Sequence, residues 1–196
     1  LKAFRVLGCE GFARVDLNTW PGNMRAMPLY KKIGLMWNPE GEGVHMEDYV
    51  PSILTHRICQ PFFSNLENPN AWYELHEREL EQAPDDYEVE GMKVYPYRFQ
   101  RKGSQLEVTV DRYARGITAI KRVIDGSSLS VDARVAKHLT LCGIPSIYSL
   151  EFTNGQEEPV QVDVHLSGFE GLEFSEAVDM TCELGPGESL EWTVPF

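Results

Sequence analysis

The side chains able to do chemistry are few, and most stand alone. His45, Glu47 and Asp48 in "VHMEDYV" are of the types that hold a metal. On a strand, however, alternate side chains oppose each other, and no second ligand group at suitable spacing accompanies them, so no metal is expected there. His76 in "ELHEREL" lacks the second histidine that a helical zinc motif needs. His138 and His165 fall in expected strands or at their ends, where a solvated or hydrogen-bonded imidazole is the reading. No GxSxG nucleophile context occurs, and "SGFEG" has its serine in the wrong place. What remains is "RVDLNTWPGNMRAMPLYKKIGL", in which an amide (Asn23), a phenol (Tyr30) and a stop glycine (Gly34) are set close together. Taken alone, a Leu-Tyr pair on an amphipathic helix is core packing.

The elements around that stretch follow from periodicity. "LKAFRVLGCEGF" places Leu1, Phe4, Leu7 and Cys9 at helical spacing and stops at glycines, as the last turns of a helix do. "ARVDLNTW" alternates Val15, Leu17 and Thr19 against Arg14, Asp16 and Asn18, as a strand with one covered face does. Asn23 is placed to cap a helix with Ala26, Leu29, Tyr30 and Ile33 on one face. Lys31 and Lys32 suit its negative end, and Gly34 ends it. Pro28 means that this helix is either kinked or begins regular winding only near Met27. "IGLMW" and "GVHMEDYV" read as two strands joined by the turn-rich "NPEGEG".

Beyond these, "NAWYELHERELEQ" reads as an acidic helix capped by Asn70, with Trp72, Leu75 and Leu80 inward, ended by "APDD". From about Met92 the period becomes two. Short alternating stretches such as "KVYPYRF", "QLEVTVDRY", "LSVDARV", "LEFSE" and "SLEWTVPF" are separated by regular turn signals, which predicts an antiparallel β-sandwich. Asp125-Gly126 and Asn154-Gly155 are hairpin-type dipeptides. The expected organisation is therefore residues 1–62, an acidic helical connector over 63–90, and a sandwich over 91–196. Tyr95, Tyr97, Phe99, Tyr113 and Trp192 are read as core before a recognition face.

"NMRAMPLYKKIGL" resembles, position by position, the Asn-x-x-Ala-x-x-Leu-Tyr-x-x-x-Gly-hydrophobic signature of the GNAT superfamily of acyl-CoA N-acyltransferases. Asn23, Ala26, Leu29, Tyr30, Gly34 and Leu35 fill those positions, with Leu35 where phenylalanine is commoner. The flanking strands resemble the C-terminal half of that fold in order and length, over about residues 1–55. The implied fold class is α+β, a partial GNAT-type mixed sheet with helices, followed by an all-β antiparallel sandwich. The resemblance implies transfer of an acetyl group from acetyl-CoA, as cosubstrate, to the primary amine of a small molecule or peptide. Tyr30 would be the catalytic acid that protonates the leaving thiolate, and Asn23 and Ala26 would lie at the cofactor. The superfamily holds the CoA pyrophosphate on a glycine-rich turn at a helix start, before the strand seen here. The expectation is that this turn lies upstream of Leu1, or that two chains complete each other's sheet as a homodimer. The later strands resemble, at low specificity, the immunoglobulin-like modules appended to many enzymes. The competing reading is a non-catalytic scaffold, a degenerate acetyltransferase remnant carrying a β-sandwich binding module.

Composition narrows the classes. The 196 residues are 42% hydrophobic and 24% charged, as in a soluble globular protein, with no apolar run of membrane-spanning length. The net charge of −12 divides as +1 over 1–62, −8 over 63–90 and −5 over 91–196. No basic stripe exists to neutralise phosphates, so nucleic acid is not an expected partner, nor is a membrane. Cysteines 9, 59, 142 and 182 show no CxxC pairing and are read as reduced thiols in a cytoplasmic protein, a Cys142–Cys182 bridge being the alternative.

Overall fold

The computed structural model describes residues 1–40, 43–64, 66–135, 143–167 and 178–196. His138, Cys142 and the strand expected over "LEFSE" lie outside the described residues. The protein consists mostly of antiparallel β-sheet with a few short helices, and divides into two compact units, Leu1–Ile124 and Asp125–Phe196. Among the described residues no helix is long and apolar enough to cross a membrane.

The first unit opens with α1 (Lys2–Cys9), β1 (Val15–Thr19), α2 (Met27–Lys32), β2 (Met36–Asn38) and β3 (Val44–Asp48), the expected order of helix, strand, helix and two strands. The three strands form one antiparallel sheet in the order β1-β3-β2. The two options left open by Pro28 resolve in favour of a late start. Winding begins at Met27, which puts the proline in the first turn, where its missing N–H has no helical acceptor to lose. Asn23 is therefore not the cap. Its carbonyl accepts the N–H groups of Ala26 and Met27, both at 3.2 Å, and Ala26 takes the cap position.

Short helices α3 (Val50–Thr55), α4 (Gln60–Phe63) and α5 (Trp72–Leu75) follow. α1 packs on α3 so closely that a Cβ on Gly8 would sit 2.3 Å from the Pro51 carbonyl oxygen. The helix expected over 70–82 is cut to the four residues of α5. His76–Glu77 (β4) is already strand, Tyr87–Val89 forms β5, and Leu80 is exposed. Tertiary pairing overrides helix propensity here, because β4 and β5 both hydrogen-bond to β6 (Met92–Arg101). β7 (Ser104–Asp111) and β8 (Gly116–Ile124) continue that sheet.

Residues 63–90 are thus part of the first unit. Trp72 is fully buried, edge-on to Phe4 with ring centroids 5.9 Å apart, and Phe63 meets Phe99 at 5.2 Å. β6–β8 share this core. Tyr95, Tyr97, Phe99, Leu106, Val108 and Val110 form one cluster with Tyr49, Ile53 and Phe62, so the unit boundary falls at Ile124/Asp125, within the run of alternating strands. Of the flagged aromatics, Tyr95, Tyr97 and Phe99 are core, whereas Tyr113 is exposed.

The second unit contains the sheet β9 (Ser127–Val135), β10 (Ile147–Gly155) and β13 (Ser189–Pro195), with β10 central, and the pair β11 (Val160–His165) and β12 (Asp179–Leu184). Leu150, Phe152, Val162 and Leu184 bury each other, with Trp192 against them. Asp125 and Gly126 have φ of 48° and 88°, the left-handed pair a two-residue turn demands. Asn154 differs from the hairpin role expected of it. It is fully buried, and its side chain pins the neighbouring loops by donating to the carbonyls of Glu158, Leu184 and Gly185.

Candidate functional site

The three-stranded sheet has two chemically different faces, set by the register. Val15 lies opposite Asp48, Asp16 opposite Glu47, Leu17 opposite Met46 and Asn18 opposite His45, with Met36 on the other side of Glu47. Since side chains alternate, Leu17, Trp37, Val44 and Met46 share one face, and Asp16, His45 and Glu47 share the other.

α2 covers the apolar face. Met27 and Leu35 are buried against Val44 and Met46, and Tyr30 is half-buried against the same cluster. Leu29, expected on the inward face with Tyr30, is instead 57% exposed. Asn23 Nδ2 donates to Thr19 Oγ1 at 2.9 Å, tying the approach to α2 to the end of β1, and Ala26 is half-buried at the helix cap. The structure therefore brings Asn23, Ala26 and Tyr30 together on one segment.

Gly34 is required where it stands. Its φ is +109°, and a Cβ there would come within 2.9 Å of both Asp48 Oδ2 and Val50 Cγ2. Asp48 is fully buried. Its Oδ1 accepts the Val50 N–H at 2.8 Å while Oδ2 has no hydrogen-bond partner among the described residues, and burial pushes its carboxyl up to about 8. Lys31 is not a solvated charge at the helix end but is only 3% exposed. Its Nζ donates to the Ala83 carbonyl at 2.8 Å and to Asp85 Oδ1 at 3.0 Å, and Asp85 Oδ2 accepts the Trp37 N–H at 2.7 Å.

The opposite face is charged and runs from solvent into the core. Arg14 forks onto Asp16, with Nε 2.8 Å from Oδ1 and Nη2 2.8 Å from Oδ2, and its Nη1 lies 3.4 Å from Glu47 Oε1 and 3.5 Å from the Tyr49 hydroxyl. His45 Nε2 stands 3.8 Å from Asp16 Oδ2. Donor atoms of Asp16, His45 and Glu47 all lie within 4.8 Å of one another. Glu47 is fully buried, and neither of its oxygens accepts a hydrogen bond among the described residues.

Deeper in, burial and the Glu47 charge raise the Tyr95 hydroxyl, while the Arg112 guanidinium, 5.7 Å above the Tyr95 ring, opposes that rise. Arg112 Nη2 reaches Asp86 at 3.1 Å, and Glu47 has the Arg14 guanidinium and the Tyr49 and Tyr95 phenols around it. His76 lines a separate cleft of about 410 Å³ with Glu77, Arg101 and Lys102. It stacks on Tyr97 and Phe99 at 5.5 and 4.7 Å, and burial lowers its imidazole to about 3, which keeps it neutral.

Sequence reasoning set His45, Glu47 and Asp48 aside for want of a further ligand group; it missed Asp16 and Arg14, which complete the charged face, while Asp48 falls on the other face of the strand. The signal was available in part: His45 and Glu47 are two residues apart on a strand and so share a face. The antiparallel pairing of β1 with β3 then sets Asp16 beside them. Comparison of the chain with models of known protein families, with curated proteins and with solved structures finds no match.

Proposed function

We propose that residues 1–62 are the C-terminal part of a GNAT-type N-acetyltransferase domain, which transfers an acetyl group from acetyl-CoA to a primary amine. The observation that carries this reading is the outer edge of β1. It has no strand partner among the described residues, and the chain around it is apolar and open. Phe12 before the strand, Trp20 after it, and Met24 and Leu29 around the start of α2 are 56–66% exposed. A bare edge flanked by large exposed apolar groups is a surface built to be covered. The rest of a GNAT sheet would join there, and the exposed Trp20, Met24 and Leu29 offer the pantetheine arm an apolar surface. The order of α1, β1, α2, β2 and β3, with Tyr30 on the helix between β1 and β2, supports the same reading.

Acetyl-CoA would supply the acyl group as a thioester. Tyr30 holds a proton at its hydroxyl for the sulfur that departs as the C–S bond breaks, and the attacking amine releases its own proton to solvent. Met27, Leu35, Val44 and Met46 fix the Tyr30 ring from one side. Asn23, tied to Thr19, orients the segment that lies along the cofactor. Among the described residues of 1–62 no glycine-rich turn opens a helix, so in this reading the pyrophosphate would be held by whatever joins at β1.

The test uses the longest reading frame that contains residues 1–196. Thiol release from acetyl-CoA is followed with a polyamine, an aminoglycoside and a peptide N-terminus as acceptors. Tyr30→Phe is expected to lower turnover on the order of 10²-fold while leaving the KM for acetyl-CoA nearly unchanged. Unaltered turnover removes Tyr30 from the mechanism, and no release with any acceptor from folded protein rejects the enzyme. One observation favours the scaffold reading instead: Gly34 and Leu35, the last two positions of the motif, have packing roles of their own that need no chemistry.

A further inference from the structure

We propose that Asp16, His45 and Glu47 form a site for a divalent transition-metal ion of the zinc class, with Arg14 as the cation that holds the ligands in the metal's absence. This does not rest on the acetyltransferase reading, since Tyr30 belongs to α2, on the opposite face of the sheet. One imidazole and two carboxylates from two adjacent strands are a donor set that zinc accepts, with a fourth position left for water.

The geometry is close to what coordination needs. Donors bound to one zinc at 2.0–2.1 Å stand about 3.3 Å apart. The His45 Nε2 to Asp16 Oδ2 separation is 3.8 Å and the whole trio spans no more than 4.8 Å, so side-chain shifts of about 1 Å close it.

The independent pointer is Glu47. A fully buried carboxylate with neither oxygen accepting a hydrogen bond among the described residues is costly, and one of those oxygens lies with the His45 and Asp16 donor atoms, all within 4.8 Å of one another. Its ion pair with Arg14, at 3.4 Å, does not satisfy it, because that guanidinium is committed to a two-bond fork on Asp16. Asp16 and His45 are 37% and 31% exposed at their side chains, which gives an ion a route in, and the 22% exposed Arg14 has solvent into which it can swing.

The metal-free chain, prepared with a chelator in a Cys9→Ser background so that the exposed thiol cannot compete, is titrated with zinc by calorimetry and with cobalt by visible absorption. One zinc per chain is expected, with a tetrahedral cobalt spectrum, and magnesium binding should be far weaker because of the imidazole. His45→Ala, at a half-exposed position that folding tolerates, and Glu47→Gln should each weaken zinc by about 10²-fold or more. Arg14→Gln should tighten it by at least about tenfold, since even at the dielectric of water a guanidinium about 4 Å from a divalent ion repels it by more than that factor. Zinc uptake that His45→Ala leaves unchanged overturns the proposal. So does a wild-type chain that takes up no zinc, whatever Arg14→Gln does, because Arg14 is then the permanent counter-ion of the two carboxylates.

Discussion

Replacing Lys31 with methionine tests whether the "APDD" segment is locked to the motif helix by a buried charge pair. Lys31 and Asp85 are 3% and 4% exposed, so their attraction is little screened by salt. Lys31→Met removes the donor to Ala83 and Asp85 and strands a buried carboxylate, at a cost of about 3–5 kcal/mol. For a unit of this size that lowers the melting temperature by roughly 10–20 °C. Lys31→Met/Asp85→Asn should recover about half of the loss, because the asparagine still accepts the Trp37 N–H and leaves no charge behind. The pH dependence has a definite sign. Burial already raises the Asp85 carboxyl despite the Trp37 N–H and Lys31, and removing Lys31 raises it further. A carboxyl raised in the folded state contributes stability below its unfolded value, which is lost as pH rises through the folded value. The deficit of Lys31→Met should therefore be larger at pH 7 than at pH 5. Thermal melts of the four chains of the cycle, at both pH values and in 0.1 and 1 M salt, give every quantity needed. A Lys31→Met melt within about 3 °C of wild type, or losses in the double variant that simply add, would refute the reasoning.

Three further outcomes can be checked on the same chain. Gly34→Ala should cost about 2–4 kcal/mol, from the positive φ and the approach to Asp48 and Val50, and a urea midpoint like that of wild type rejects the strain argument. His76 is held neutral with its imidazole lowered to about 3, so its contribution is present above the unfolded value near 6.5 and fades as pH falls toward 3. Between pH 7 and 4.5 wild type should lose roughly 2–3 kcal/mol more than His76→Phe, which keeps the stacking; parallel losses would show that the imidazole is not the sensitive group. Asn154→Ala removes the two amide N–H groups shared among three carbonyls and the bond its Oδ1 accepts from the Gln156 N–H, and should cost about 2–4 kcal/mol. Hydrogen exchange at residues 184–188 should speed up with it, and unchanged protection there would separate Asn154 from that loop.

Local pattern was legible wherever burial follows a simple period. The alternation in "ARVDLNTW" is the half-buried, exposed alternation of β1, and the expected strands from Met92 onward account for β6 to β11 and β13. The helix of the motif was found, but its start was left open between a kinked helix capped by Asn23 and winding from Met27, because the cap depends on backbone carbonyls of the turn and not on residue type. The helix over 70–82 failed for a different reason. His76 and Glu77 gain hydrogen bonds from Phe99 and Arg98, more than twenty residues away, and a local propensity of a few tenths of a kcal/mol per residue cannot compete.

The sequence by itself determined a β-rich chain with a short helical motif near its start and a near-neutral first segment, since these depend on residue type and spacing alone. It also placed Asn23, Ala26 and Tyr30 on one segment, because residues so near in the chain stay near in space whether or not a helix includes them all. Only the tertiary structure decided that Lys31 meets Asp85, 54 residues on, that Asp16 and Arg14 complete a charged face with His45 and Glu47, and that the first unit ends at Ile124. These are matters of register and of which face is buried. A slip of one residue between β1 and β3 would exchange the charged face for the apolar one, and the register that prevents it is selected by the packing of Met27 and Leu35 on Val44 and Met46.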